Sequence, residues 1–431
     1  MSAVRVDERL VVSGQPQLGD FGGFAKDGFA AIINNRPDGE HPSQPGNEAE
    51  MDAAKKAGLS YSFVPVTGSS ITEADIRGFQ SALRKAGGPV IAHCQSGKRS
   101  LMLFVLGEVL DGRMGAEEVQ GFGRAHGIDL AAASDWLRTW NSQRPRVKGF
   151  FDPRTSSIQY VVSDPETQKC AIIDPVLDFD EKSGATGTVS ADAILSYVKS
   201  EGLEVEWILD THPHADHFSA AHYLKQKTGA PMAIGDHVVE VQKLWQGIYN
   251  WPTLRTDGSQ WDRLFSHGEP FKVGSIDARV IFSPGHTLAS ITYVIGDAAF
   301  VHDTIFMPDS GSARADFPGG SARVLWHSIQ GILSLPDTTR VFTGHDYQPG
   351  GRHPRWESTV GEERRTNPHL AGIDEAGFIT LREARDKTLA MPKLILHALQ
   401  VNIMGGRLPE PEDNGQRYLK FPLNALSGSP W

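Results

Sequence analysis

Thr211-His212-Pro213-His214-Ala215-Asp216-His217 follows the apolar run Val205-Glu206-Trp207-Ile208-Leu209, with only Asp210 between them. Three imidazoles and a carboxylate fall within the six residues from His212 to His217. Packing does not call for such a cluster. Imidazole is the commonest metal ligand among side chains, and a carboxylate adds a hard anionic donor. The spacing H-x-H-x-D-H at the end of a predicted strand points to a metal site. The bland alternative is a solvated histidine-rich loop.

Outside this stretch, the bulk numbers narrow the class. A chain of 431 residues exceeds one ordinary core, so two domains are expected. Lys and Arg total 42 against 52 Asp and Glu, a formal charge of −10. That balance argues against nucleic acid and acidic membrane surfaces as partners. Mean hydropathy is −0.30, and no apolar run reaches the ~20 residues a membrane helix needs. The opening MSAVRVDERLVVSGQ has no basic region leading into a long apolar stretch, so no secretory leader is expected. Two cysteines, Cys94 and Cys170, imply no disulfide framework, which fits a cytoplasmic setting. The oligomeric state stays open, a homo-oligomer included.

Two textures succeed each other along the chain. Residues 1–140 read as a small α/β unit, with buried strands at Phe29–Ile33, Tyr61–Val66 and Val90–Ala92. Thr72 and Asp75 form a capping-box pair ahead of Ile76, Phe79 and Leu83 at helical spacing. Leu101–Leu110 is apolar nearly all round, a buried helix. The polar, basic NSQRPRVKG at 141–149 reads as a linker. From 150 to 431, strand-like segments with tight turns alternate with helices, which predicts sheets covered by helices. Residues 235–264, with Trp245, Trp251 and Trp261, read as an insertion over one edge, and the last ~45 residues as a wrapping tail.

Three more candidate ligands each sit where a strand should end. These are His286 in Ser283-Pro284-Gly285-His286, Asp303 in His302-Asp303-Thr304, and His345 in Gly344-His345-Asp346-Tyr347. Strand ends converge in space, which lets distant positions share a site. The order of these motifs, with Asp174 after an apolar strand, resembles the metallo-β-lactamase superfamily over about residues 150–350. The resemblance implies an αβ/βα four-layer sandwich with its metal site at the edge between two sheets. It leaves chemistry open, since the superfamily holds both dinuclear zinc hydrolases such as glyoxalase II and mononuclear iron persulfide dioxygenases.

The segment Asp309-Ser310-Gly311-Ser312-Ala313-Arg314-Ala315-Asp316-Phe317 and the triplet His345-Asp346-Tyr347 are similar to the persulfide dioxygenases. That likeness implies one Fe(II) per chain, held by His212, His286 and Asp303, with Zn as the alternative metal. Two imidazoles and one carboxylate on one face leave three positions open. His214, Asp216, His217 and His345 would then orient ligands and waters. Tyr347 would hydrogen-bond near the metal, or lie half-buried against a backbone group. Arg314 would pair with a substrate carboxylate such as that of glutathione, or form an ion pair with Asp309 or Asp316.

A second constellation is Val90-Ile91-Ala92-His93-Cys94-Gln95-Ser96-Gly97-Lys98-Arg99-Ser100. A strand, a short loop and a helix start aim backbone N–H groups at one point. The helix start, Lys98 and Arg99 all favour a Cys94 thiolate, a nucleophile for an oxyanion or for sulfane sulfur. The loop resembles the H-C-x5-R signature of tyrosine and dual-specificity phosphatases, but only four residues separate Cys94 from Arg99, the loop size of rhodanese sulfurtransferases. With Ser13-Gly14-Gln15-Pro16 and Asn34-Asn35-Arg36-Pro37-Asp38, the unit looks like the phosphatase-like domain of bacterial beta-lactamase hydrolase-like proteins, which fuse it to a persulfide dioxygenase. Asp38 fits a loop general acid or, more plainly, a turn; Cys170 reads as a buried thiol in a strand.

The resemblance implies a bifunctional sulfur enzyme. One half would oxidise glutathione persulfide, or a similar persulfide, with O2 to sulfite and thiol, and the other would move sulfur through Cys94. A dinuclear zinc hydrolase of the glyoxalase II type, a sulfur-sensing module and a phosphatase are the competing readings.

Overall fold

The computed structural model describes residues 3–68 and 70–426. The chain divides into two compact units, Met1–Asn141 and Ser142–Trp431. In the first, the strand Val90–His93 lies central in a five-stranded sheet, flanked in parallel by Leu10–Ser13 and Ala31–Asn34. Ser60–Phe63 adds a parallel edge, and Ala3–Arg5 an antiparallel one. Val90 and Ala92 face one apolar cluster and Ile91 the other. That two-sided burial is why these strands read as continuous apolar runs. The helix Lys98–Leu110 is buried nearly all round. Ahead of Glu73–Lys85, Thr72 Oγ1 accepts from Asp75 N and Asp75 Oδ2 accepts from Thr72 N, closing the capping box.

The second unit holds two six-stranded sheets face to face. One runs Arg263–Phe265, Met232–Gly235, Glu204–Leu209, Lys169–Ile173, Ser157–Ser163 and Arg146–Asp152. The other runs Pro270–Val273, Ile276–Phe282, Ile291–Ile295, Ala298–His302, Arg340–Thr343 and Glu357–Thr359. Ile158, Tyr160 and Val162 point between the sheets, while Val161 joins the opposite cluster beneath the helices. Each wholly buried side chain of Leu or Phe size contributes ~1.5–3 kcal/mol to this core. Helices such as Val189–Ser200 and Val238–Ile248 cover the first sheet, and Ala322–Leu333 covers the second. The result is the metallo-β-lactamase αβ/βα four-layer sandwich. Among the described residues no helix is long and apolar enough to cross a membrane.

Three expectations change. The stretch 141–149 is not a free linker: the helix Ala131–Ser142 enters it and the strand Arg146–Asp152 leaves it. Val147 pairs with Val162 and Phe151 with Ile158, so alternation rather than charge governs the segment. Residues 235–264 are not an insertion. They form a crossover helix leading to the edge strand Arg263–Phe265, which pairs in parallel with Met232–Gly235, and Trp245 and Trp261 are core residues. The tail begins with a helix, Ile395–Asn402, that packs into the first sheet's helical layer.

Candidate metal centre and cysteine cradle

Every metal candidate stands just past a strand, at one end of the sandwich. Asp174, at φ +49, ends Lys169–Ile173 and binds Thr211 twice, at 2.7 Å to N and 2.8 Å to Oγ1. Those bonds fix the turn that carries His212. His286 hangs from a loop whose Gly285 has φ +126, where a Cβ would run into the backbone of Leu325. Tyr160, wedged between the sheets, donates to the Thr343 carbonyl at 2.6 Å and so anchors the strand that delivers His345.

His212, His286 and Asp303 bring one ligand atom each to within 4.8 Å of one another. His286 Nδ1 donates to the Arg314 carbonyl at 2.9 Å, which leaves Nε2 as a lone pair 3.5 Å from Asp303 Oδ2. His212 Nδ1 lies 3.0 Å from Thr211 Oγ1, and its buried Nε2 has no partner. An orphaned imidazole nitrogen facing a carboxylate is what a metal ligand looks like without its ion. Burial, then the neighbouring imidazoles, hold His212 well below the ordinary histidine range, and burial lowers His286. Burial would raise the Asp303 carboxyl, but His345 holds it at about 2. Neutral imidazoles and an ionised carboxylate are the forms a metal requires, so the residues fit the ion.

Around the triad, His345 Nδ1 contacts Asp303 at 2.6 Å and its Nε2 contacts Asp216 at 2.8 Å. Burial works against its charge, yet Asp303, Tyr347 and Asp216 raise it well above the histidine range. His217 Nδ1 meets Asp216 at 3.0 Å, and its Nε2 is orphaned. His214 turns Nε2 toward Asp174 at 3.0 Å and, despite burial, is raised to about 9 by that carboxylate. Tyr347 stacks on His345 with rings 5.6 Å apart, and its hydroxyl has no hydrogen bond among the described residues. A cavity of about 860 Å³ opens over these groups.

Arg314 reaches the cavity wall with its guanidinium already occupied. Asp316 takes two of its donors at 2.6 and 2.7 Å, and the carbonyl of Ala390 takes a third. Asp309 pairs with Arg352 instead. Of the two roles open to Arg314, the ion pair with Asp316 is built, and what Arg314 presents to the metal ligands is its carbonyl.

In the first unit, Cys94 ends the central strand and is wholly buried, with Gly97 N donating to Sγ at 3.2 Å. Arg99 lies beside it, but Lys98 points away to Asp129 at 3.3 Å. The segments singled out by sequence meet here. Ser13 O accepts from Cys94 N, and Glu50 ties Gln15 and Asn34 to His93. Asp38 serves a turn, accepting from Asn47 N at the start of a helix. Cys170 is a strand thiol that burial pushes up to about 12.

Residues 4–111 match the beta-lactamase hydrolase-like protein, phosphatase-like domain, and residues 153–345 match the metallo-beta-lactamase superfamily. A beta-lactamase hydrolase-like protein of Xylella fastidiosa (strain 9a5c) is 70% identical over 431 residues, all of both chains. The chain belongs to the beta-lactamase hydrolase-like proteins. Its metal half is also similar to glyoxylase B2 of Dictyostelium discoideum, 46% identical over 289 residues, 66% of this chain and 99% of that one. Mouse mitochondrial persulfide dioxygenase ETHE1 is 29% identical over 227 residues, 52% of this chain and 75% of that one. The crystal structure of ETHE1 from Myxococcus xanthus superposes with a TM-score of 0.50 at 30% identity, over 61% of this chain and all of that one.

Two site residues of this family member carry no chemical signature in sequence. Ser157 Oγ touches Asp216, His217 and His345 at 3.0, 3.2 and 3.0 Å. Asn402 donates to the carbonyls of His214 and His217, both at 2.7 Å, and accepts from Ser219 N at 2.8 Å. His302, next to Asp303, was within sight of sequence reasoning; it is buried between Ser283 and Thr304 at φ +42.

Proposed function

We propose that the metal half oxidises a low-molecular-weight persulfide, with glutathione persulfide the model substrate, and that the cysteine half passes sulfane sulfur through Cys94 with Arg99 beside it. The overall reaction balances as R–S–SH + O2 + H2O giving R–SH and sulfite with two protons. His212, His286 and Asp303 would hold a single Fe(II), which when bound supplies the electron relay between sulfur and O2. The observation that carries the reading is the cluster of His212, His286 and Asp303, whose ligand atoms lie within 4.8 Å of one another, in a half that resembles ETHE1 of Myxococcus xanthus. The Arg314 carbonyl keeps His286 in the tautomer whose Nε2 faces the metal. Arg154 and Arg385, both lining the cavity, have no hydrogen-bonded partner for their guanidinium groups among the described residues; they suit the carboxylates of a peptide thiol. Elemental analysis with an O2 electrode tests the proposal. One iron per chain and persulfide-dependent O2 uptake are expected; two zincs and no uptake refute it.

A second reading has its own support. His214, Asp216 and His217 also gather within 4.8 Å, His217 Nε2 is unpartnered, and glyoxylase B2 is more similar than either ETHE1 described. Hydrolysis of S-lactoylglutathione by the zinc-loaded protein would favour a dinuclear hydrolase.

A further inference from the structure

A carboxylate already engages the arginine of the cysteine cradle. Glu40 reaches in from the loop after the strand Ala31–Asn34. Its two oxygens lie 2.8 and 2.9 Å from Arg99 Nη2, and Oε2 accepts from Arg36 Nε at 2.6 Å. Arg99 Nη1 is taken by the Val66 carbonyl at 2.7 Å. Both terminal nitrogens of the cradle's arginine are thus engaged, and the forked grip that guanidinium offers a phosphate is already spent on protein.

The placement is braced. Arg36 is buried, donates from Nη1 to Gln15 at 3.1 Å, and has its own N–H held by Asn34 at 2.8 Å. Gln15 in turn donates to the buried Glu50 at 2.7 Å. Side-chain exposure rises from 11% at Arg99 to 28% at Glu40, with Cys94 wholly enclosed, so Glu40 stands on the entry side. An incoming dianion would have to displace this carboxylate or tolerate it at contact distance, where like charges repel strongly in a partly buried site.

We infer that Glu40 is the selectivity residue of the Cys94 cradle. Its carboxylate takes the anion position on Arg99, so the cradle turns away tetrahedral dianions such as phosphoryl groups and admits the outer sulfur of a persulfide. The assignment rests on the sulfur-transfer reading above and deepens it. In the step it serves, the Cys94 thiolate attacks the outer sulfur of R–S–SH. A Cys94 S–S bond forms, the donor's S–S bond breaks, and the thiolate RS⁻ leaves with the electron pair and takes a proton. No oxidant enters, and the arriving atom brings no oxygens that would need Arg99.

The test is the rate at which iodoacetamide alkylates Cys94 in the full chain, read by peptide mass spectrometry with Cys170 as internal reference. Inorganic phosphate should change the wild-type rate less than about twofold. In Glu40→Gln, phosphate should protect Cys94 with affinity gained about tenfold or more, the scale set by removing one adjacent like charge. Glu40→Ser serves if the first variant does not fold. Phosphate protection of the wild type, or of neither variant, overturns the role of Glu40. In a separate arm, glutathione persulfide should add one sulfur to wild-type Cys94. Failure there, with phosphate exclusion intact, overturns the sulfur-transfer reading and the persulfide half of the assignment.

Discussion

Replacing Asn402 by Ala removes a side chain that ties the helix Ile395–Asn402 to the histidine-rich loop. It strips partners from two buried carbonyls, His214 and His217, and one buried N–H, Ser219, and it deletes a side chain only 2% exposed. Each buried backbone group left unsatisfied costs ~1–3 kcal/mol. Partial relaxation and water entry offset some of that, so the expected loss is about 3 kcal/mol for the metal domain. For a domain of this size the thermal midpoint should fall by ~6–12 °C. Tryptophan fluorescence from Trp207, Trp245 and Trp261 follows that domain through urea unfolding. Since the freed carbonyls belong to two histidines of the metal loop, metal affinity should also drop, by ~10-fold or more on the scale of outer-shell deletions. A loss below about 1 kcal/mol with metal affinity unchanged would refute the claim that Asn402 holds the loop.

Other perturbations probe separate links. Gly285→Ala forces a Cβ into the Leu325 backbone at φ +126, so it should cost more than ~2 kcal/mol and displace His286, seen as reduced metal content after purification. Ser157→Ala removes the hydroxyl shared by Asp216, His217 and His345; a metal titration should show affinity reduced about tenfold while stability falls only ~1 kcal/mol. Glu363 is buried against Ser358 and Asn367, and burial raises its carboxyl from 4.5 to about 7. A raised folded value favours the protonated form, so its contribution is complete below pH 4.5 and is lost as pH climbs through 7. Relative to wild type, Glu363→Gln should therefore gain up to ~3 kcal/mol between pH 4.5 and pH 8; parallel urea-stability curves across that range would discard the assignment.

The candidate metal cluster was legible because imidazoles and carboxylates at strand ends have few other uses, and the strands Ala298–His302 and Arg340–Thr343 ahead of Asp303 and His345 are almost wholly buried. The sandwich followed from the same strands. Ser157 and Asn402 escaped because a serine opening a strand and an asparagine closing a helix look ordinary, and their partners lie 59 to 188 residues away. Basic residues at 144–148 suggested a linker, but an edge strand tolerates outward Arg and Lys as long as Val147 and Phe151 fit their partners. Arg314 showed the limit of residue type: its charge suited a substrate carboxylate and an ion pair alike, and the fold pairs it with Asp316, two positions on. Lys98 likewise sits beside the cysteine in sequence and turns to Asp129 in space. Glu40 could not be weighed at all without the fold, since fifty-nine positions separate it from Arg99.

The Asn402 tether also sets an order of events during synthesis. The histidines it braces are made about 185 residues before it, as the 188 and 185 positions separating the partners show. At translation rates of ~5–20 residues per second, the ribosome needs ~10–40 s to span that gap. Throughout that interval a histidine-rich loop exists without its brace, and the braced form becomes available only when the last helix arrives. The loop's full set of backbone partners is in this way complete only once the helix Ile395–Asn402 has been made.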